Sequence, residues 1–436
     1  VAVDLFPPTS SSELPGPAWL RTRRASALAA LAEMELPDVS QEEWRYSRIA
    51  ELRPERFALV DAERPEPAGG HRVPVPAATA LAELGELAGA VVVHNGVVVA
   101  TELAEDVAGS GVVLRVAGDD DEVLLGAALD SSPDAFAALN DAHCATPVVL
   151  SVPRGVTVER PFAVVDVTDA DGVVTFPRLS VVAGENSELS LVEISLSSDV
   201  EALVAPLTDI SVGAAARVRH STLQDVGRRV WRIATLVAAV QQDATLRSSS
   251  AALGGDYARQ RTDCRLLGRG AHGDLSSVYF GDGDQMLDLR TFQEHRAPDT
   301  SSNLLFKGAV ADRSHSVYTG LIRIAPEARG TNAFQTNRNL KLSDDAWAES
   351  VPNLEIENND VHCSHASTVG PVDEDQRFYL ESRGVPDTVA ERLIVGGFFD
   401  EVLDDLPVPA LAGPVRARLD VLLDQQMGAA HVGGAA

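Results

Sequence analysis

Residues 304–324 read LLFKGAVADRSHSVYTGLIRI, two apolar-rich runs (LLFKGAV from 304, HSVYTGLIRI from 315) split by a turn-forming Asp-Arg-Ser. Side chains two apart on a strand share a face, so this alternation reads as strand, turn, strand. The same texture extends backwards through LSSVYF at 275, WRIATLVAAV at 231, LSLVEIS at 189 and PVVLSV at 147. Gly, Asp and Asn clusters punctuate it about every 10–14 residues. From about Thr146 to Gly370 no convincing helical pattern intervenes. Parallel strands in an α/β sheet need helical crossovers, so that class is disfavoured. A sandwich, a barrel and a β-solenoid remain. Aromatics are only 5% while Val and Ala abound, which suits stacked layers of small side chains and favours the solenoid.

Helical patterns flank this core. Ala18 to Glu35 places Leu20, Leu28, Leu31 and Met34 near helical spacing, and Pro37 ends the run. Ser40-Gln-Glu-Glu43 has the form of a capping box opening a second helix at Trp44. Residues 61–76 read as a Pro/Gly-rich linker. His94-Asn95-Gly96 sits between two valine runs and predicts a hairpin. Ser132-Pro133 is expected to cap and open a short helix. After Gly370 three helices are expected: 373–383, stopped by Gly384; 386–406, with Ile394, Phe398 and Val402 on one face; and 413–427, with Val415, Leu419 and Leu422 aligned. The expected divisions are 1–65 (helical), 66–145 (mixed), 146–370 (β-core) and 371–436 (helical). The tail reads either as a cap sealing the solenoid end or as a docking module.

Composition narrows function. With 36 basic and 64 acidic residues the formal net charge is −28, a poor match to nucleic acid or anionic membrane. No apolar run is long enough to span a bilayer, and the first residues lack the pattern of a signal peptide. A cytoplasmic location is the expectation. Cys144, Cys264 and Cys363 are too few and too scattered for a disulfide framework.

Several motifs reduce to turns or surface. Gly268-Arg-Gly270-Ala-His-Gly273 matches G-x-G-x-x-G in letters but runs into a strand, where a dinucleotide loop would open a helix. Gly281-Asp-Gly-Asp284 lacks the other positions of a calcium loop. No P-loop occurs, so any ATP dependence would come from another subunit. Asp344-Asp345 and Glu355/Glu357 are a rival reading as paired carboxylates of a polysaccharide-cleaving β-helix hydrolase or lyase. The most informative stretch is Val361-His-Cys-Ser-His365. On a strand Cys363 and His365 project together, and thiolate plus imidazole suit iron, iron–sulfur or zinc. The alternative is a small buried thiol beside a surface histidine. Two ligands fall short of four, so a metal here would need a second chain.

At this point the sequence resembles the SufB/SufD family of iron–sulfur cluster assembly scaffolds. The matching segments are Thr331 to Ser343, Pro352 to Ile356, Val361 to His365, Phe378 to Gly384 and Gly397-Phe-Phe399, with Glu43-Trp-Arg-Tyr46 near the start. Cys-Ser-His looks like SufD, and the Glu-His-Glu-Ala signature of SufB-type chains is absent. The resemblance implies a right-handed parallel β-helix between helical regions. It further implies a SufBCD-type complex, in which this chain pairs with a SufB-like subunit and its C-terminal domain docks a SufC-like ATPase. By motif it implies Cys363 and His365 as ligands of a transient cluster shared across the subunit interface. Cys264 lies in a context resembling the SufB segment that holds a sulfur-accepting cysteine, leaving an inert core thiol, a sulfur relay and an atypical SufB-like assignment as readings. The expectation is a scaffold without enzymatic turnover of its own. A purely structural solenoid partner stays a rival, and flavin dependence and homodimerisation of the isolated chain stay open.

Overall fold

In the computed structural model, Leu304 pairs in parallel with Leu275 on one side and with Gln335 on the other. Each strand therefore finds its neighbours about 30 residues away in either direction, the signature of a coil that repeats. Two facing sheets result, one from Trp347–Ile356 back to Val113–Val116, the other from Val361–Pro371 back to Val97–Leu103. The long pairings are parallel; antiparallel pairs occur at the start, between Gly89–His94 and Val97–Leu103 and between Val113–Val116 and Val148–Val152. The chain is a parallel β-solenoid of about eight turns. The structure describes residues 14–60 and 73–433. Most of the expected 61–76 linker and the extreme N-terminus lie outside these described residues.

Alternation sets the layers. In Ser301–Val310, Leu304 and Phe306 face the interior between the sheets, while Leu305 and Ala309 face outward onto helices. Strands covered on both faces read as nearly continuous apolar runs, which explains WRIATLVAAV, buried at every position.

The described helices are α1 (Ala18–Glu33), α2 (Val75–Leu84), α3 (Glu105–Ala108), α4 (Ala135–His143), α5 (Glu374–Ser382), α6 (Asp387–Leu403) and α7 (Ala412–Gly433). One sheet is covered from outside by Leu31 of α1, Trp44, Phe57 and Phe136 of α4. The Arg259 guanidinium lies 3.9 Å from the Trp44 ring centroid, donates to the Glu43 carbonyl at 2.8 Å and pairs with Asp288. The N-terminal segment is thereby clamped onto strands more than two hundred residues downstream. The other sheet is covered by α2, α6 and α7. Val107 of α3 helps close the first end of the interior.

Three sequence expectations need correction, and one of the two readings of the tail does not fit. The Ser40 capping box opens no α-helix; only a 3-10 turn, Glu42–Trp44, forms, with no side-chain cap. The clamp on Trp44 fixes that segment instead of helical propensity. The helix near 133 is capped by Asp134, which accepts from Ala137 N–H, and starts at Ala135. The inner face of α6 is Val395, Phe399 and Val402, so Ile394 and Phe398 sit at its flank, partly buried. The C-terminal helices do not seal the solenoid end. They lie along its side, packing Phe399 and Leu422 into the same cluster as Val278, Phe280 and Ala309. No residue of Trp347–Ile356 or Val361–Pro371 is fully buried.

Candidate functional site

Among the described residues the last strand, Val361–Pro371, pairs only with Thr331–Lys341, with Ala333 opposite Cys363 and Gln335 opposite His365. Because Ala333 and Gln335 are buried, the odd-numbered residues of the last strand continue their inward-facing columns. Cys363 and His365 thus share the inward face of the terminal coil, as alternation predicts, and His362 sits opposite the outward-facing Asn332. Cys363 is half-buried, packed with Val361 and Leu354 against Ile322, Ile324 and Ala333, and burial pushes its thiol pKa up. His365 has no coil above it and is exposed. A soft thiol donor and a borderline imidazole donor thus sit at an open end. Among the described residues no third or fourth acidic, thiol or imidazole group gathers to make a metal site.

Cys264 is elsewhere. It is 1% exposed, faces the interior from the opposite sheet, and its pKa is raised to about 12, chiefly by burial. Its sulfur lies 2.8 Å from where a side chain on Gly273 would begin, so the glycine is what makes room for it. A thiol so placed is hardly ionised and behaves as a small apolar side chain. Gly268 and Gly270 lie in the turn between Tyr257–Leu266 and His272–Gly281. Gly281-Asp-Gly-Asp284 is likewise a turn, and Glu355 and Glu357 flank Arg323 at the surface.

Sequence reasoning missed the polar interior. Between the sheets, a cavity of about 60 Å³ is lined by Asp166, Glu193, His220, Arg232, Ser248 and Gln260, among others. His220 Nε2 is 2.8 Å from Glu193 Oε1 and its Nδ1 is 2.9 Å from Ser248 Oγ. Burial raises Asp166 to about 7, against the opposing pull of Arg232, and lowers Arg232 to about 10. Nearer the open end, Asn337 Nδ2 donates to Tyr279 Oη at 2.8 Å, Tyr279 donates to Asn339 Oδ1 at 2.6 Å, and Asn339 donates to Asn337 at 2.8 Å. The legible signal was Glu193, which follows Leu189 and Leu191 on the inward parity of LSLVEIS.

Comparison with known proteins places this geometry. The family model described as "SUF system FeS cluster assembly, SufBD core domain" matches residues 166–398. An iron–sulfur cluster assembly SufBD family protein of Mycobacterium tuberculosis is 34% identical over 301 residues, 67% of this chain and 73% of that protein. One from Mycobacterium leprae is 33% identical over 326 residues, 73% of this chain and 81% of its own. One from Staphylococcus epidermidis is 27% identical over 275 residues, covering 63% and 59% respectively. The matched core begins at Asp166 in the polar cavity and runs through both terminal strands into α6.

Proposed function

Since the chain belongs to the SufBD family of iron–sulfur cluster assembly proteins, we propose that it is a SufD-like scaffold subunit without turnover of its own. In this reading it pairs end-on with a SufB-like chain and contributes Cys363 and His365 to a cluster that is cargo, built and passed on. The observation that carries the reading is the placement of a thiol and an imidazole on the inward face of a terminal coil that no described residue covers. An incomplete ligand pair at an open solenoid edge calls for a second chain, because unpaired strand edges are templates for pairing. The burial of Cys264 argues against a sulfur-relay role and so against an atypical SufB-like assignment.

Docking of a SufC-like ATPase is assigned to the outer side of the tail. Phe378 and Tyr379 on α5 and Val389 and Leu393 on α6 are large apolar side chains left exposed. Such anchors concentrate docking energy.

The test is the double variant Cys363→Ser/His365→Ala, reconstituted anaerobically with SufB-like and ATPase partners. Iron and sulfide per complex should fall by more than about half, with subunit stoichiometry kept, since iron–sulfur clusters are ordinarily held by about four protein ligands and this variant removes two candidates. Equal content would leave the chain a purely structural partner.

A further inference from the structure

One coil beneath His365 lies Gln335, its register partner on the adjacent parallel strand. Gln335 is 1% exposed, and neither its Oε1 nor its Nε2 has a hydrogen-bond partner among the described residues. Buried polar groups are paired in the great majority of cases, so an amide with both ends idle is an exception that needs a reason. Its neighbours on the same strand face do not share the condition. Asn337 and Asn339 are tied to each other and to Tyr279. Among the described residues Gln293 on the opposite sheet, also 1% exposed, is idle at both ends as well, but of the two only Gln335 lies in register beneath His365.

The opposite sheet makes room for it. A side chain on Gly320 would begin 2.5 Å from Gln335 Nε2 and 2.3 Å from Tyr318 Oη. The space is thus held open by a missing Cβ. Adjacent strands lie about 4.8 Å apart, so stacked side chains on one face come within hydrogen-bond reach by a rotamer change. An amide offers both a donor and an acceptor, and can match either nitrogen of an imidazole.

We propose that Gln335 is a positioning residue for His365. When His365 gives one ring nitrogen to iron, its other nitrogen carries the proton and donates to Gln335 Oε1. The bond fixes the tautomer and the ring plane, the role that outer partners of metal-bound histidines commonly fill. This rests on the reading of His365 as a cluster ligand.

The experiment compares Gln335→Met and His365→Ala with wild type in the full, anaerobically reconstituted complex. It reads iron released to a chelator and the nitrogen coupling of the reduced cluster by pulsed electron paramagnetic resonance. Gln335→Met keeps shape and removes only the amide. It should release iron about tenfold faster and change the nitrogen coupling, while the metal-free chain unfolds at higher denaturant because an unpaired buried group is gone. A merely structural glutamine would give a less stable chain and an unaltered coupling. If Gln335→Met matches wild type while His365→Ala loses the cluster, the positioning role falls and the ligand reading stands. If His365→Ala retains the cluster with the wild-type spectrum, the ligand reading falls and takes this proposal with it.

Discussion

The first coils and the last two are built from the same backbone ladder but solve opposite problems. Around Phe162 and Leu191 the interior is closed off, with apolar side chains packed about the polar cavity at Asp166 and Glu193, and helices cover both outer faces. At Trp347–Ile356 and Val361–Pro371 the inward side chains Leu354, Val361 and Cys363 still pack together, but no residue is fully buried. A solenoid coil gains stability only from its neighbours, so the final coil, with a neighbour on one side, is the least secured part of the sheet. The contrast teaches that the most deeply packed coils and the candidate ligands are placed at opposite ends of one ladder. The chain keeps its candidate ligands where the fold has least to lose.

The largest effect should come from attacking the sealed end. Leu191 is fully buried, and Leu191→Ala should cost about 2–5 kcal/mol through lost transfer energy and a cavity. Leu354→Ala, at the open end, should cost less than about half of that, because Leu354 is only partly buried. Urea unfolding of both variants checks the comparison; equal losses would break it.

A second effect turns on pH and belongs to the sealed end alone. Asp166 has a folded pKa of about 7, well above the ordinary carboxyl value of about 3.9. Below about pH 4 the carboxyl is protonated folded or unfolded and costs nothing. Between about pH 4 and 7 the unfolded chain gives up the proton while the folded chain keeps it, so stability falls as pH rises. The loss is complete above that range, at up to about 4 kcal/mol. Asp166→Asn should remove this slope, so that the variant gains on wild type between pH 5 and pH 8 when both are unfolded in urea. Parallel stability profiles would show that Asp166 is not desolvated.

The smallest effect on the fold should come from the exposed side of α6. Leu393→Asp should change the unfolding free energy by no more than about 0.5 kcal/mol, yet abolish retention of the ATPase in a pull-down. Deleting the tail is a blunter tool, since α6 and α7 bury Val395, Phe399 and Leu419 against the sheet. Removing them would bare that apolar face and unsettle the body as well. Full ATPase retention by Leu393→Asp would move the docking site elsewhere.

What could be read in advance follows the same division. Period-2 alternation and small side chains gave the solenoid, and Asn95-Gly96 gave its opening hairpin, with Asn95 at φ 49°. Cys363 and His365 could be put on one face because alternation on a strand is a local rule. Gln335 could not be linked to His365, since that pairing depends on how many residues each coil takes. The polar cavity was hidden for the same reason: Glu193, His220 and Arg232 meet across three coils and two sheets. Ser40-Gln-Glu-Glu43 misled because a cation stacked on Trp44, from a strand far downstream, outweighs a local capping preference.

That clamp also sets a timetable. Glu43 and Arg259 are 216 positions apart, and a ribosome adding about 5–20 residues per second needs roughly 10–40 seconds to cover that interval. During this time the first segment has emerged while its seat does not yet exist. Trp44 and the apolar side of α1 must wait in the open until the strands carrying Arg259 and Asp288 have been made and coiled. A nascent chain is therefore most vulnerable to capture by its neighbours on the polysome at its beginning, and the last coil is laid down only after that debt is nearly discharged.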